Sequence, residues 1–379
     1  MNEIDLDDLR PYRDDEIPAA MERMAGDATL AQMVGYACPG VPLESVREKL
    51  RAVRTADDFQ RAFVQPLLEN IIKATSSGFT YSGEGNISSA QGHLFISDHR
   101  DIVLDGALLQ LVLIYSGLPT SEITFGSNLV SSRFVEDFGR SNKMYKILRG
   151  GTGRDLVRNS HILSEHIREV VDDGRSVWIS QRDGRTKDGD DRTDQGLVKM
   201  LAMSDRSPQE ALERLNIVPF AISYEYESCD ALKAREIYAR RRGRYEKAPG
   251  EDMKSIVTGV KQYKGAIHIE VCPPVTPQEI GAFADECCND MMRGVAAVID
   301  RRIHRGYRLF ATNYMAYDMR GGTAVFAGER YSQADRVRFE EYMDRQARGV
   351  EGDVLELKDI LLDIYANPVA NKLAVEGEA

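Results

Sequence analysis

The chain has 379 residues, 42% of them hydrophobic, and a formal net charge of −11, enough apolar content for a sizeable core and two or three structural units. The acidic balance excludes a general nucleic-acid binder, because phosphate backbones select basic surfaces. No apolar run reaches the roughly 18 residues a bilayer span needs; the longest candidate, Ala107–Tyr115, is broken by Gln110.

The first residues, Met1-Asn2-Glu3-Ile4-Asp5, are acidic and lack the basic-then-apolar order of a secretory leader, so a cytoplasmic protein is predicted. Residues 1–80 read as a helical region. Leu30, Met33, Val34, Val46, Leu50, Val53, Phe59, Phe63, Leu67, Leu68 and Ile71 recur at three-to-four spacing. Pro18 and Pro39-Gly40-Val41-Pro42 are expected to break it into separate helices. A Gly/Ser-rich passage, Ser76–Gly92, separates this region from the next.

From His93 onward short apolar runs alternate with helical patterns. Strands are expected at Leu94–Ile96, Glu122–Phe125, Tyr145–Leu148, Val177–Ile179, Ile217–Ile222 and Ala266–Val271, with helices at Ile102–Tyr115 and Asp155–Val171. Alternation of this kind predicts an α/β fold with a mostly parallel central sheet flanked by helices, over residues 81–276. Residues 277–379 return to helical periodicity and read as a C-terminal helical extension. The five cysteines, with Cys287 and Cys288 adjacent, form no paired framework and no CxxC metal pattern, so buried reduced thiols are expected. Six scattered histidines, His161 and His166 among them, offer no zinc-ligand spacing.

Four clusters can carry chemistry. In Ile96-Ser97-Asp98-His99-Arg100-Asp101-Ile102-Val103-Leu104-Asp105 a histidine comes after a strand and precedes an apolar helix with a carboxylate. A histidine outside the carboxyl end of a strand can take a proton from an alcohol, and an aspartate can hold the ring and stabilise the imidazolium. A surface histidine near a helix start gives the same pattern. Tyr145-Lys146-Ile147-Leu148-Arg149-Gly150-Gly151-Thr152-Gly153-Arg154 places glycines after a strand, where backbone can approach an anion; it is not a P-loop, and an ordinary strand-to-helix turn also fits. The run Gln181–Thr193, with Asp183, Gly184, Arg185 and Lys187, lacks the glycine and closing glutamate of a calcium loop. Its cations could clamp a phosphate, or the loop could simply be solvated. Ile217–Tyr226 is a core strand interrupted by Pro219.

In this order on successive strands, the four clusters resemble the motifs of the glycerophosphate acyltransferase superfamily, the glycerol-3-phosphate and 1-acylglycerol-3-phosphate O-acyltransferases. The resemblance runs from about Leu94 to Val271. Met253-Lys254-Ser255-Ile256-Val257-Thr258-Gly259-Val260, followed by a strand and Pro273-Pro274, resembles the bacterial glycerol-3-phosphate branch more than the lysophosphatidate branch. It implies an O-acyltransferase of phospholipid biosynthesis. The acyl donor would be acyl-CoA or acyl-carrier protein, the acceptor glycerol 3-phosphate or a related lysophospholipid precursor, and neither metal nor cofactor would be needed. Carried over by position, His99 would be the general base and Asp105 its partner; Arg149, Gly184, Arg185 and Lys187 would bind substrate, and Pro219 would lie near the acyl pocket. Two departures stand out: five residues rather than four separate His99 from Asp105, and Asp183 replaces the usual glutamate before Gly184. The basic stretch Lys233–Lys247 with Tyr238 and Tyr245 could hold the protein on the inner face of a membrane or meet an acidic carrier; a solvated basic helix is the alternative. A catalytically inactive lipid- or carrier-binding protein of the same fold is the competing reading. An α/β hydrolase is not, since GxSxG is absent.

Overall fold

A computed structural model describes residues 5–243 and 245–377; Met1–Ile4 of the leader reading and Arg244 of the basic stretch lie outside them. Five helices come first: α1 (Ile17–Gly26), α2 (Ala28–Ala37), α3 (Leu43–Ala52), α4 (Ala56–Phe59) and α5 (Gln65–Thr75). Nine of the eleven apolar positions read from the periodicity are buried, and Met33 and Phe63 pack partly buried against them. Pro18 does not separate two helices. It sits in the first turn of α1, where its missing N–H has no intrahelical partner to lose.

The sheet has seven strands: β1 (Gly78–Ser82), β2 (Leu94–Ser97), β3 (Glu122–Gly126), β4 (Met144–Ile147), β5 (Val177–Ser180), β6 (Ile217–Tyr224) and β7 (Ala266–Val271). Their order is β1-β7-β6-β2-β5-β3-β4. The last five run parallel; β7 pairs antiparallel with β6 and parallel with β1. The fold is therefore α/β with a mixed, mostly parallel sheet. β1 falls inside the Gly/Ser-rich passage expected to be a spacer. It is a half-exposed edge strand, so little apolar residue was needed to build it.

Between the strands lie α6 (Leu104–Tyr115), α7 (Arg133–Ser141), α8 (Gly153–Asp172), α9 (Gln195–Leu201), α10 (Pro208–Arg214), α11 (Asp230–Arg241) and α12 (Glu251–Lys261). After β7 come α13 (Pro277–Gly281), α14 (Cys288–Gly306), α15 (Ala311–Gly321), α16 (Gln333–Arg348) and α17 (Val354–Gly377). Strand side chains alternate between faces. Phe95, Val218 and Phe220 join the core under α1–α6, whereas Leu94, Ile96, Ile217 and Ala221 join the one under α8 and α14. A third core gathers α11 with α15–α17 around Phe339, Leu357 and Tyr365. Among the described residues no helix is long and apolar enough to cross a membrane. All five thiols are free, but only Cys229 and Cys272 are buried. Cys287 and Cys288 are exposed, because they open α14 at the surface.

Candidate active site

The parallel strands deliver four loops to one end of the sheet. Ser97 of β2 lies opposite Ser180 of β5, and Gly126 of β3 opposite Ile147 of β4. The segments after these strands, carrying His99, Arg182–Lys187, Asn128 and Arg149, line a single cavity of about 800 Å³. The Thr186 N–H donates to the His99 carbonyl at 2.8 Å, stitching the first and third clusters together. Ligand sites of parallel sheets form outside the carboxyl ends of the strands, and this cavity occupies that place.

α6 starts at Leu104, two residues later than the periodicity suggests. Residues 98–103 are therefore irregular, and the extra residue between His99 and Asp105 is taken up before the helix begins. His99 Nδ1 lies 3.0 Å from Asp105 Oδ2. That oxygen also accepts the N–H groups of Arg100 (2.7 Å) and Asp101 (2.8 Å), while Tyr224 donates its hydroxyl to Oδ1 at 3.1 Å. Asp101 faces away. It accepts the N–H groups of Val103 and Leu104, each at 2.9 Å, which is a helix-start cap, and the hydroxyl of Ser228. At Gly106 an added Cβ would stand 3.1 Å from the Trp178 ring, so a glycine here lets α6 close over the indole beside His99.

Burial, with Arg185 as second cause, pushes the His99 imidazole down to about 3, so the ring is neutral at physiological pH. Burial, then the neighbouring Asp101, pushes the Asp105 carboxyl up to about 8 against the opposing backbone N–H groups. When Asp105 is ionised its Oδ2 accepts the Nδ1–H, and Nε2 then carries the free lone pair.

The other expected residues divide. Arg149, Gly184, Arg185 and Lys187 all line the cavity. Arg149 is ion-paired to Asp183, so the shorter aspartate still spans to its arginine. Gly184 adopts φ +72°, a backbone region where a Cβ costs energy. Lys187 pairs with Glu236 at 2.8 Å, and burial followed by Arg185 lowers its ammonium to about 8. Arg185 is buried, and its Nη1 has no hydrogen-bond partner. Pro219 is not a cavity residue. It lies within β6 opposite Ile96, shut inside the sheet. The α8 start after Gly150-Gly151 is closed by a Thr152–Asp155 capping box, so its own side chains serve the amides there.

Sequence reasoning missed the layer behind His99. The buried Arg100 guanidinium binds Asp98 (2.6 Å), Asp191 (2.7 Å) and Glu227 (3.1 Å) and lies over the Tyr307 ring. Burial acts to raise the Glu227 carboxyl, but Lys233 and Arg100 outweigh it and hold it below the usual range. Lys233 was expected in an exposed basic stretch; it is buried, donating to Glu227 (2.6 Å) and to the Arg100 carbonyl (2.8 Å). No spacing rule links residues 98, 191, 227 and 307; only the fold does. Among the described residues no group of His, Cys, Asp and Glu is arranged to hold a metal ion.

No family model matches the chain. Nor does any of the curated proteins match it in sequence. Among solved structures it is similar to the 1-acyl-sn-glycerophosphate (LPA) acyltransferase PlsC from Thermotoga maritima. The identity is 11% and the TM-score 0.36, over 75% of this chain and 94% of that one. The chemistry open to the site rests on its own side chains.

Proposed function

We propose that the protein is an O-acyltransferase that moves a fatty acyl group from a thioester donor to a hydroxyl of a phosphorylated glycerol or lysolipid acceptor. The observation that carries this reading is one cavity holding both a neutral histidine braced by a buried carboxylate and a buried arginine with an unpartnered guanidinium nitrogen. The order of the sequence motifs supports the choice of acyl transfer over other base-assisted chemistries.

In this mechanism His99 Nε2 removes the acceptor hydroxyl proton as the oxygen attacks the thioester carbonyl. Asp105 stabilises the imidazolium that forms. Collapse of the tetrahedral intermediate forms the ester, breaks the C–S bond, and the departing thiolate takes the proton back from His99. Arg185 meets the acceptor phosphate, where a guanidinium fork suits the oxygens. The donor is acyl-CoA or acyl-carrier protein.

Attachment to the inner face of a membrane belongs to the same reading, in a weaker form than the sequence suggests. Arg240, Arg241 and Arg242 are exposed but ion-paired to Glu236, Asp363 and Glu356, which leaves less free charge for anionic lipid. Sedimentation with anionic vesicles should weaken as salt rises.

Incubation with radiolabelled acyl-CoA or acyl-carrier protein and a panel of acceptors tests the proposal. Ester formation on glycerol 3-phosphate or a lysophospholipid supports it. Acceptor or donor binding without transfer would favour an inactive binding protein instead.

A further inference from the structure

The four donors on Asp105 are unevenly shared. Oδ2 receives the His99 ring and the N–H groups of Arg100 and Asp101, whereas among the described residues Oδ1 receives the Tyr224 hydroxyl alone. Tyr224 is the last residue of β6, buried, and paired with Ile267 of β7. Its ring is therefore fixed by a strand on which none of the other members of the site is placed. We propose that Tyr224 is a positioning residue for acyl transfer, its hydroxyl holding the Asp105 carboxylate in the rotation and charge state that serve His99. The inference rests on the acyl-transfer reading above.

A carboxylate with three donors on one oxygen and none on the other can satisfy the bare oxygen most simply by taking a proton there. A protonated Asp105 no longer stabilises an imidazolium on His99. The phenol opposes this by donating, and it remains a donor because burial, then the charges of Asp105 and Asp101, hold it well above its ordinary range. The charged groups facing this pair and the His99 ring are Asp98 and Asp101 from the β2–α6 segment, Lys233 from α11, Glu227 beyond β6, and Arg185 and Lys187 from the β5 loop. Of these Lys233, Arg185 and Lys187 are the cations. None of them touches Asp105 Oδ1, so among the described residues the hydroxyl has no substitute.

The test is Tyr224→Phe, read in two ways on the full chain. Steady-state kinetics across pH should show kcat lowered by about tenfold, the scale of one charge-assisted hydrogen bond, with KM for both substrates unchanged. The acid limb of kcat should move to higher pH. Independently of turnover, ring-nitrogen NMR of His99 in wild type and variant should show its Nδ1–H signal altered. An unmoved limb together with unaltered His99 resonances overturns the proposal. If the wild type transfers no acyl group, the functional reading fails, and the NMR comparison alone still decides the role of Tyr224. If Tyr224→Phe does not fold, site-specific 3-fluorotyrosine at 224, a stronger donor of the same shape, should move the limb and the His99 signal the opposite way. No displacement with fluorotyrosine also overturns the idea.

Discussion

A histidine paired to a carboxylate stands at each end of the sheet. At the carboxyl ends of the strands it is His99 with Asp105, 3.0 Å apart. At the amino ends it is His166 with Glu122, 2.7 Å apart, beside a second cavity of about 600 Å³. The tighter pair is the more fully satisfied one. Glu122 is already neutralised by Arg175 at 2.5 Å, and the His166 ring is covered by Tyr145, 3.8 Å away and nearly parallel. Among the described residues, none lining that cavity leaves a buried polar atom without a partner. Around His99 polar groups are left over: Asp105 is paired to a neutral ring, backbone N–H groups and a phenol but to no cationic side chain, and Arg185 keeps a free nitrogen. A site is marked by what its surroundings leave unsatisfied, more than by the pair at its centre.

Substitutions can break that contrast. His99→Ala should lower turnover by about 10²–10⁴-fold, the range of general-base assistance. Asp105→Asn should cost roughly 10²-fold or more with the fold retained, whereas Asp101→Asn should cost less than about tenfold, as loss of a cap of about 1 kcal/mol would. Thermal melts must accompany both, since each carboxylate is buried. A crippling Asp101→Asn beside a silent Asp105→Asn would reverse the roles. Arg185→Ala should raise KM for a phosphorylated acceptor by about 10- to 100-fold, from about 1.5–3 kcal/mol per charge-assisted bond, and leave KM for the acyl donor alone. Equal loss against both substrates would sink phosphate recognition at this arginine.

The pH profile sharpens the comparison further. The active form needs the Asp105 carboxylate, whose burial places it at about 8. Activity should therefore be full above that value and fall about tenfold per unit below it, rather than breaking near the ordinary histidine range. The same shift has the opposite sign for stability. A raised carboxyl favours the folded protonated acid, so its contribution is full below about 4, the unfolded value, and is lost as pH rises through about 8. Melting curves of wild type minus Asp105→Asn against pH measure it. The smallest effect is expected at the other end of the sheet. His166→Ala should leave turnover unchanged and cost about 1 kcal/mol of stability; a loss of activity like that of His99→Ala would erase the distinction between the two ends.

Much of this was legible from residue order alone. Six of the seven strands are short Val/Ile/Phe/Tyr runs, buried or partly buried, and periodicity finds them. β1 escaped because an edge strand with one exposed face needs little apolar content. His99, Arg149, Gly184, Arg185 and Lys187 meet at one cavity because loops after parallel strands converge by construction. Pro219 stays out of that cavity for the complementary reason: it lies within β6, well before the strand's end, inside the sheet. Tyr224 and Arg100 were beyond reach. Tyr224 meets Asp105 across 119 residues, and the partners of Arg100 reach 127 residues away, where neither spacing nor period carries information. The basic stretch failed at Lys233, whose burial depends on Glu227 being folded against it.

Arg100 also bears on how the protein is made. Its charge partners and the ring beneath it come from residues 98, 191, 227 and 307, and a buried guanidinium missing a partner is strongly destabilising. On a ribosome, where segments emerge from the amino end at about 5–20 residues per second, the His99 loop cannot settle until α14 and Tyr307 have been translated. The nascent chain thus carries Arg100 for some 200 residues of synthesis before the last of the groups that hold it in the fold is made.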